Sequence, residues 1–108
     1  MAFDAYDRSL DLLRALVPLL PRVAAKDAGL EDQLRRAARN AHLNIAEANR
    51  RKGRDRANRF GWALAEAAEV TAALDNALVF GYLDVEDVVD ALALADRVRA
   101  MVYRLAHR

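Results

Sequence analysis

Apolar residues recur every three or four positions along almost the whole chain, a spacing typical of helices that bury one face. Helix-breaking glycine and proline number only four and two among 108 residues, while strong helix formers are abundant. A chain of this length is expected to form one domain. The pattern therefore predicts an all-α fold, an antiparallel up-down-up-down four-helix bundle formed by residues 1–108.

The few breakers set the expected helix limits. The first expected helix begins at residue 3 and ends or kinks between residues 17 and 21. The other three span about 30–51, about 56–80 and 85–105. Two prolines end or kink the first helix, and the stretch after them is read as a connection. Gly53 supplies the next corner, and Asp55 is the expected N-cap of the third helix. Gly81 fits a C-terminal cap and Asp84 the following N-cap, which makes this boundary the best defined.

The first helix carries two apolar stripes. The stripe assigned to the core consists of Phe3, Tyr6, Leu10, Leu13, Val17 and Leu20. Further apolar residues lie off the core stripes of their helices, namely Leu12, Leu16, Leu19, Leu43 and Trp62. A helix that is apolar on more than one face needs more than one cover, so these five residues are predicted to form a subunit interface. The alternative is a broad core stripe, since one helix of a small bundle meets two neighbours.

Charge is distributed unevenly along the sequence. Residues 35–59 hold nine basic and two acidic residues, a balance of +7, whereas the remainder has a balance of −6. The basic residues are Arg35, Arg36, Arg39, Arg50, Arg51, Lys52, Arg54, Arg56 and Arg59. Arginine donates paired hydrogen bonds to phosphate oxygens, so these nine residues are candidates for nucleic-acid binding. A solvated surface, or pairing with acidic residues of another subunit, is the alternative.

Five short stretches match a known family in order and nearly in spacing. They are LEDQLRRAA (30–38), NIAEA (44–48), GRDR (53–56), EVTAAL (69–74) and GYL (81–83). In these five stretches the chain resembles the bacterial four-helix bundle proteins encoded by intervening sequences of large-subunit ribosomal RNA genes. It departs from the family pattern at Ala48, where glycine is usual, and at Ala65-Glu66, where Gly-Ser is usual.

The resemblance implies a ring-like homo-oligomer, typically a pentamer, and an association with RNA. A related accessory variability protein of diversity-generating retroelements is a pentameric bundle that binds reverse transcriptase and nucleic acid. RNA or a nucleic-acid-processing protein is therefore an expected partner. The resemblance implies no catalytic residues.

Other kinds of site find little support. Ser9 and Thr71 are the only hydroxyl residues of their types, and no base is placed near either by sequence. Neither histidine follows a glutamate at the spacing of di-metal bundles, so no metal or other cofactor is expected. Cysteine is absent, and neither an export signal nor an apolar run long enough to span a membrane is visible. A non-enzymatic cytoplasmic protein is expected, and a purely structural scaffold is the alternative function.

Overall fold

The computed structural model describes residues 3–107, and every regular element within them is an α-helix, which confirms the predicted all-α class. In chain order the helices are α1 (Phe3–Leu16), α2 (Leu20–Ala24), α3 (Ala28–Ala48), α4 (Gly53–Val79) and α5 (Val85–Ala106). The four long helices were expected, but the short α2 lies in the stretch that had been read as a plain connection. The molecule measures 42 × 22 × 19 Å along its principal axes.

Proline explains the extra helix. Pro21 lies in the first turn of α2, where its missing N–H costs nothing and its fixed φ suits a helix. The residue that was expected to stop a helix therefore helps to start one. Asp27 then begins α3, because its carboxylate accepts a hydrogen bond from the Leu30 backbone N–H (2.9 Å).

The long helices pack side by side around a two-part core. α1 contacts α3 and α5, α4 contacts α3 and α5, and α2 packs on α3. One part of the core joins Ala5, Ile45, Phe60 and Val102, so the start of α1, the end of α3, the start of α4 and the end of α5 meet there. We call this the corner end, since it carries the connection 49–52 between α3 and α4. The opposite end, which carries the connection 80–84, is the far end.

The predicted inward stripe of α1 is wrong. Leu12, Leu16 and Leu19 are 0%, 1% and 5% exposed in the single chain, and Ala5 and Ser9 are buried with them. The six residues assigned to the core are half-buried or exposed instead, and Phe3 and Val17 are the most exposed of them. Leu12, Leu16 and Leu19 are therefore core residues, and we withdraw them as interface candidates.

The boundary between α4 and α5 confirms the expectation from sequence. Gly81 has φ +75°, and its N–H bonds the Leu78 carbonyl while the Tyr82 N–H bonds the Ala77 carbonyl. These two bonds form a Schellman motif, which needs a left-handed backbone conformation that glycine adopts without strain. Asp84 is the N-cap of α5, and its N–H donates to the Asp87 carboxylate (2.8 Å).

Candidate nucleic-acid interface

The corner between α3 and α4 is a tight turn made by backbone bonds. The N–H groups of Arg50 and Arg51 bond the carbonyls of Glu47 and Ala48 (3.0 and 3.1 Å), and Gly53 follows with φ +60°. α4 therefore begins at Gly53, three residues earlier than expected.

The N-cap of α4 is Lys52, not Asp55, so that prediction is wrong. Asp55 lies within the first turn of α4, where a negative charge suits the positive end of the helix dipole.

The guanidinium groups of Arg56 and Arg59 are engaged in contacts within the molecule. The Arg56 guanidinium donates to the Ala48 carbonyl at the end of α3 (3.0 Å) and lies 4.8 Å from the Phe60 ring centroid. This contact gives the Ala48 carbonyl a second donor besides the Arg51 N–H, and it places a cation at the negative end of the helix dipole. The Arg59 guanidinium lies 4.9 Å from the Trp62 ring centroid. Both arginines therefore help to build the corner.

Arg51 holds the turn through carboxylates. Its guanidinium lies 3.1 Å from Glu47, as the i,i+4 spacing predicted, and 3.5 Å from Asp55. The pairs join the last turn of α3 to the first turn of α4. Arg51 therefore has less positive charge to offer a ligand than its position in the sequence indicates.

Arg35 and Arg36 are neutralised by acids on their own helix. Arg35 pairs with Glu31 (3.1 Å) and Asp32 (2.8 Å), and Arg36 lies 3.3 Å from Asp32. These ion pairs point toward the start of α3, away from the corner. The structure therefore does not gather the nine candidate residues into one uniform basic surface.

Four of the nine candidates remain exposed and unengaged. Within residues 3–107 they make no ion pair, ring contact or side-chain hydrogen bond. They are Arg39, Arg50, Lys52 and Arg54. Three of them flank Gly53, and we call Arg50, Lys52 and Arg54 the corner triad.

The start of α4 adds backbone donors to the corner triad. Lys52 makes no side-chain cap, since an ammonium group has no acceptor atom. The first N–H groups of a helix have no partner within that helix, and they favour anions. Exposed cations and these donors therefore converge on the same few residues, which suits phosphate oxygens.

A groove on the open side of α3 and α4 contains acidic side chains, in contrast to the cations of the corner triad. It has a volume of 280 Å³, and its lining includes Arg36, Asn40, Glu66 and Glu69. Burial and the neighbouring Glu69 carboxylate raise the pKa of Glu66. The two neighbouring carboxylates would repel a phosphate backbone, so this groove does not favour nucleic-acid binding.

The remaining interface candidates lie on the surface. Leu43 is 50% and Trp62 is 53% exposed. Leu43 follows Asn40 by one turn and Trp62 precedes Glu66 by one turn, so both lie along the α3–α4 face. An apolar side chain on this face is available to a neighbouring subunit, and their role in assembly stays a prediction.

Sequence reasoning missed a polar pair between α1 and α3. The Ser9 hydroxyl, 1% exposed, donates to the Tyr6 carbonyl and lies 2.8 Å from His42 Nδ1. Because the single hydroxyl proton points to Tyr6, the His42 Nδ1–H donates to Ser9. The 33-residue separation gave no local signal for this contact. Since Ser9 is enclosed, the pair organises the core rather than presenting a nucleophile.

Residues 3–107 contain neither a cluster of metal ligands nor a helix that could cross a membrane. Within residues 3–107 no three side chains of the histidine, cysteine, aspartate or glutamate types cluster as metal ligands. None of the helices in that range is both long enough and apolar enough to cross a membrane.

Two comparisons relate the chain to known proteins. The family model for 23S rRNA-intervening sequence protein matches residues 1–104. The fold is similar to the crystal structure of a protein with unknown function from the S23 ribosomal protein family of Bacteroides thetaiotaomicron, with a TM-score of 0.87. The two chains are 20% identical over 96% of this chain and 99% of the other. No curated protein matches significantly.

Proposed function

The chain belongs to the 23S rRNA-intervening sequence protein family, and from this premise we propose that it is a non-enzymatic, self-assembling helical bundle that binds RNA at its corner end. The observation that carries the proposal is the corner triad, three exposed cations whose side chains have no partner within residues 3–107 and lie beside the start of α4, which has no side-chain cap. A ribonucleoprotein or a reverse transcriptase bound to nucleic acid would present the same phosphates. The site would read phosphate positions rather than base sequence.

An antiparallel up-down-up-down arrangement of the four long helices is part of the proposal. Its support is the pairing of helices, in which α1, α3, α4 and α5 each contact two of the others. Further support comes from the two-part core, where the ends of successive long helices alternate between the corner end and the far end.

Assembly into a homopentamer is the second part of the proposal. The family resemblance implies this number of subunits, and Leu43 and Trp62 supply exposed apolar surface along the α3–α4 face. A ring would repeat the corner triad around its axis, and the repeated contacts would raise the avidity for a long RNA. Light scattering during size-exclusion chromatography measures the subunit number. A monomer at micromolar concentrations would end this part of the proposal.

RNA binding is tested by a salt series on single-stranded RNA. The variant that replaces Arg50, Lys52 and Arg54 with alanine should bind all sequences more weakly. Its slope of log K against log salt should be smaller by about 2, because about 0.7 counterion is released per phosphate contact. The control replaces Arg14, Arg35 and Arg36, which are ion-paired to acids, and it should retain the wild-type slope. Absence of binding at low salt would refute RNA binding, and equal slopes for both variants would refute the corner triad as its site.

The alternative function is a protein scaffold without nucleic acid. Asp84, Glu86 and Asp90 are exposed at the far end, so they could meet the corner triad only in another molecule. Asp87 is already paired with Arg22 (2.8 Å), which lowers the pKa of the Asp87 carboxyl. A scaffold predicts that the triad variant loses self-association while wild type shows no RNA binding.

A further inference from the structure

A second feature of the corner end is an apolar pocket between α1 and α3. It has a volume of 350 Å³ and opens to the surface. It is lined by Phe3, Tyr6, Asp7, Ala46, Asn49 and Arg50. Ligand pockets begin at about 300 Å³ and combine apolar walls with a few polar groups, so this one is large enough for a nucleobase with its ribose.

The aromatic wall of the pocket is held in place from behind. The Tyr6 ring lies 4.6 Å from the His42 ring, centroid to centroid. His42 is in turn held by the buried Ser9, whose hydroxyl donates to the Tyr6 carbonyl (2.8 Å). Three residues thus fix one another, and the Tyr6 ring loses little conformational freedom when a ligand arrives. Phe3, which is 60% exposed, supplies a second ring at the mouth.

Charged groups at the rim match the polar parts of a nucleotide. Arg50 lines this pocket and also a neighbouring depression shared with Glu47 and Arg51. A phosphate at Arg50 would therefore lie between the pocket and the rest of the corner triad. The exposed Asp7 carboxylate can accept a hydrogen bond from an amino group on a base edge.

We propose that the Phe3–Tyr6 pocket takes one unstacked base of a single-stranded RNA whose phosphates follow the corner triad. This assignment rests on the proposed RNA binding and adds a preference for single strands over duplexes. Bases of single-stranded RNA stack on aromatic side chains, whereas paired bases cannot leave the helix to do so. An apolar side chain from a second copy could fill the pocket but would leave Arg50 and Asp7 without partners there.

The test compares two exposed phenylalanines. Phe3→Ala should weaken the binding of a short single-stranded RNA about tenfold, a typical loss for one stacked base. It should leave duplex RNA binding and the salt slope unchanged, because no phosphate contact is lost. The matched control is Phe80→Ala, since Phe80 is 63% exposed at the far end, and it should bind as wild type does. Circular dichroism verifies that both variants fold.

A second measurement needs no variant. A single-stranded RNA that carries 2-aminopurine at one position should lose fluorescence on binding, because stacking on the rings quenches this base. The quenching should be absent when the same base is placed in a duplex.

The outcomes separate the pocket from the corner triad. Unchanged single-strand affinity in Phe3→Ala, or an equal loss for single strands and duplexes, would overturn the proposal that the pocket binds a base. RNA binding at the corner triad would still be tested separately by the triad variant. Loss of self-association in Phe3→Ala with RNA affinity intact would assign the pocket to a second copy and overturn the proposal. Absence of RNA binding by wild type would refute both.

Discussion

At the scale of single residues, the polar contact between Ser9 and His42 shows how the core tolerates polar atoms. A buried hydroxyl without a partner would cost about 1–3 kcal/mol. Ser9 avoids this cost by donating to Tyr6 and accepting from His42. The pair fixes the relation of α1 to α3 more narrowly than apolar contacts do, because hydrogen bonds depend on direction.

His42 gives this contact a pH dependence. Burial lowers the pKa of His42 from its ordinary value of 6.5. The unfolded chain therefore binds more protons than the folded one below that value, and the free energy of unfolding should fall as pH drops from about 7.5 to about 5. In His42→Asn, whose amide can still donate to Ser9, this loss should be smaller. Urea unfolding at both pH values measures it, and equal losses in the two proteins would contradict the assignment.

Two glycines should respond oppositely to the same substitution. Gly81→Ala forces a β-carbon into a left-handed conformation, φ +75°, and should destabilise the protein by about 1 kcal/mol. Gly61 lies inside α4 with no atom near the position of an added β-carbon. Gly61→Ala should therefore stabilise it by up to about 1 kcal/mol through helix propensity. Chemical denaturation compares the two, and shifts of the same sign would refute the local conformations.

At the scale of elements, α1 shows a limit of sequence periodicity. Both of its stripes have helical spacing, and the stripe with more aromatic residues was assigned to the core. The structure instead buries the stripe that contains Ala5 and Ser9, whose small size lets α1 approach its neighbours. The buried stripe also includes Ser9, which meets His42, a partner 33 positions away, and no local pattern reveals this contact.

Substitutions on α1 test which stripe is inside. Leu12→Ala should cost about 3 kcal/mol, because it removes a fully buried side chain and leaves a cavity. Val17→Ala should change the free energy of unfolding by less than about 0.5 kcal/mol, since Val17 is 65% exposed. Urea midpoints on the two variants provide the measurement. A larger effect at Val17 would place the other stripe in the core, or in an assembled interface.

Sequence chemistry located some elements better than others. The α4–α5 boundary was predicted because Gly81, Asp84 and the residues between them act through neighbouring backbone groups. The α3–α4 corner was correctly predicted at Gly53, but the start of α4 was placed three residues too late. Gly53 begins α4 without a side-chain cap, so Asp55, the predicted N-cap, lies inside the helix. Among the nine basic candidates, the sequence showed the positive charge but could not show which side chains are already paired.

At the scale of the whole molecule, the corner triad places three exposed cations without ion pairs in residues 3–107 at one end, although the net charge is only +1. A concentrated patch attracts a polyanion more strongly than the same charge spread evenly. The triad variant should therefore elute earlier from a cation exchanger than the control with changes at Arg14, Arg35 and Arg36, although the two have equal net charge. Equal elution would show that the patch does not dominate the electrostatic field.

The position of the corner triad at the corner end would also affect the proposed assembly. Subunits standing in parallel around a common axis would bring their corner triads to one rim, where like charges repel. RNA bound along that rim would reduce the repulsion between the triads. RNA binding would therefore stabilise the proposed ring against dissociation. Thermodynamic reciprocity then requires the closed ring to hold RNA more firmly than separate subunits do.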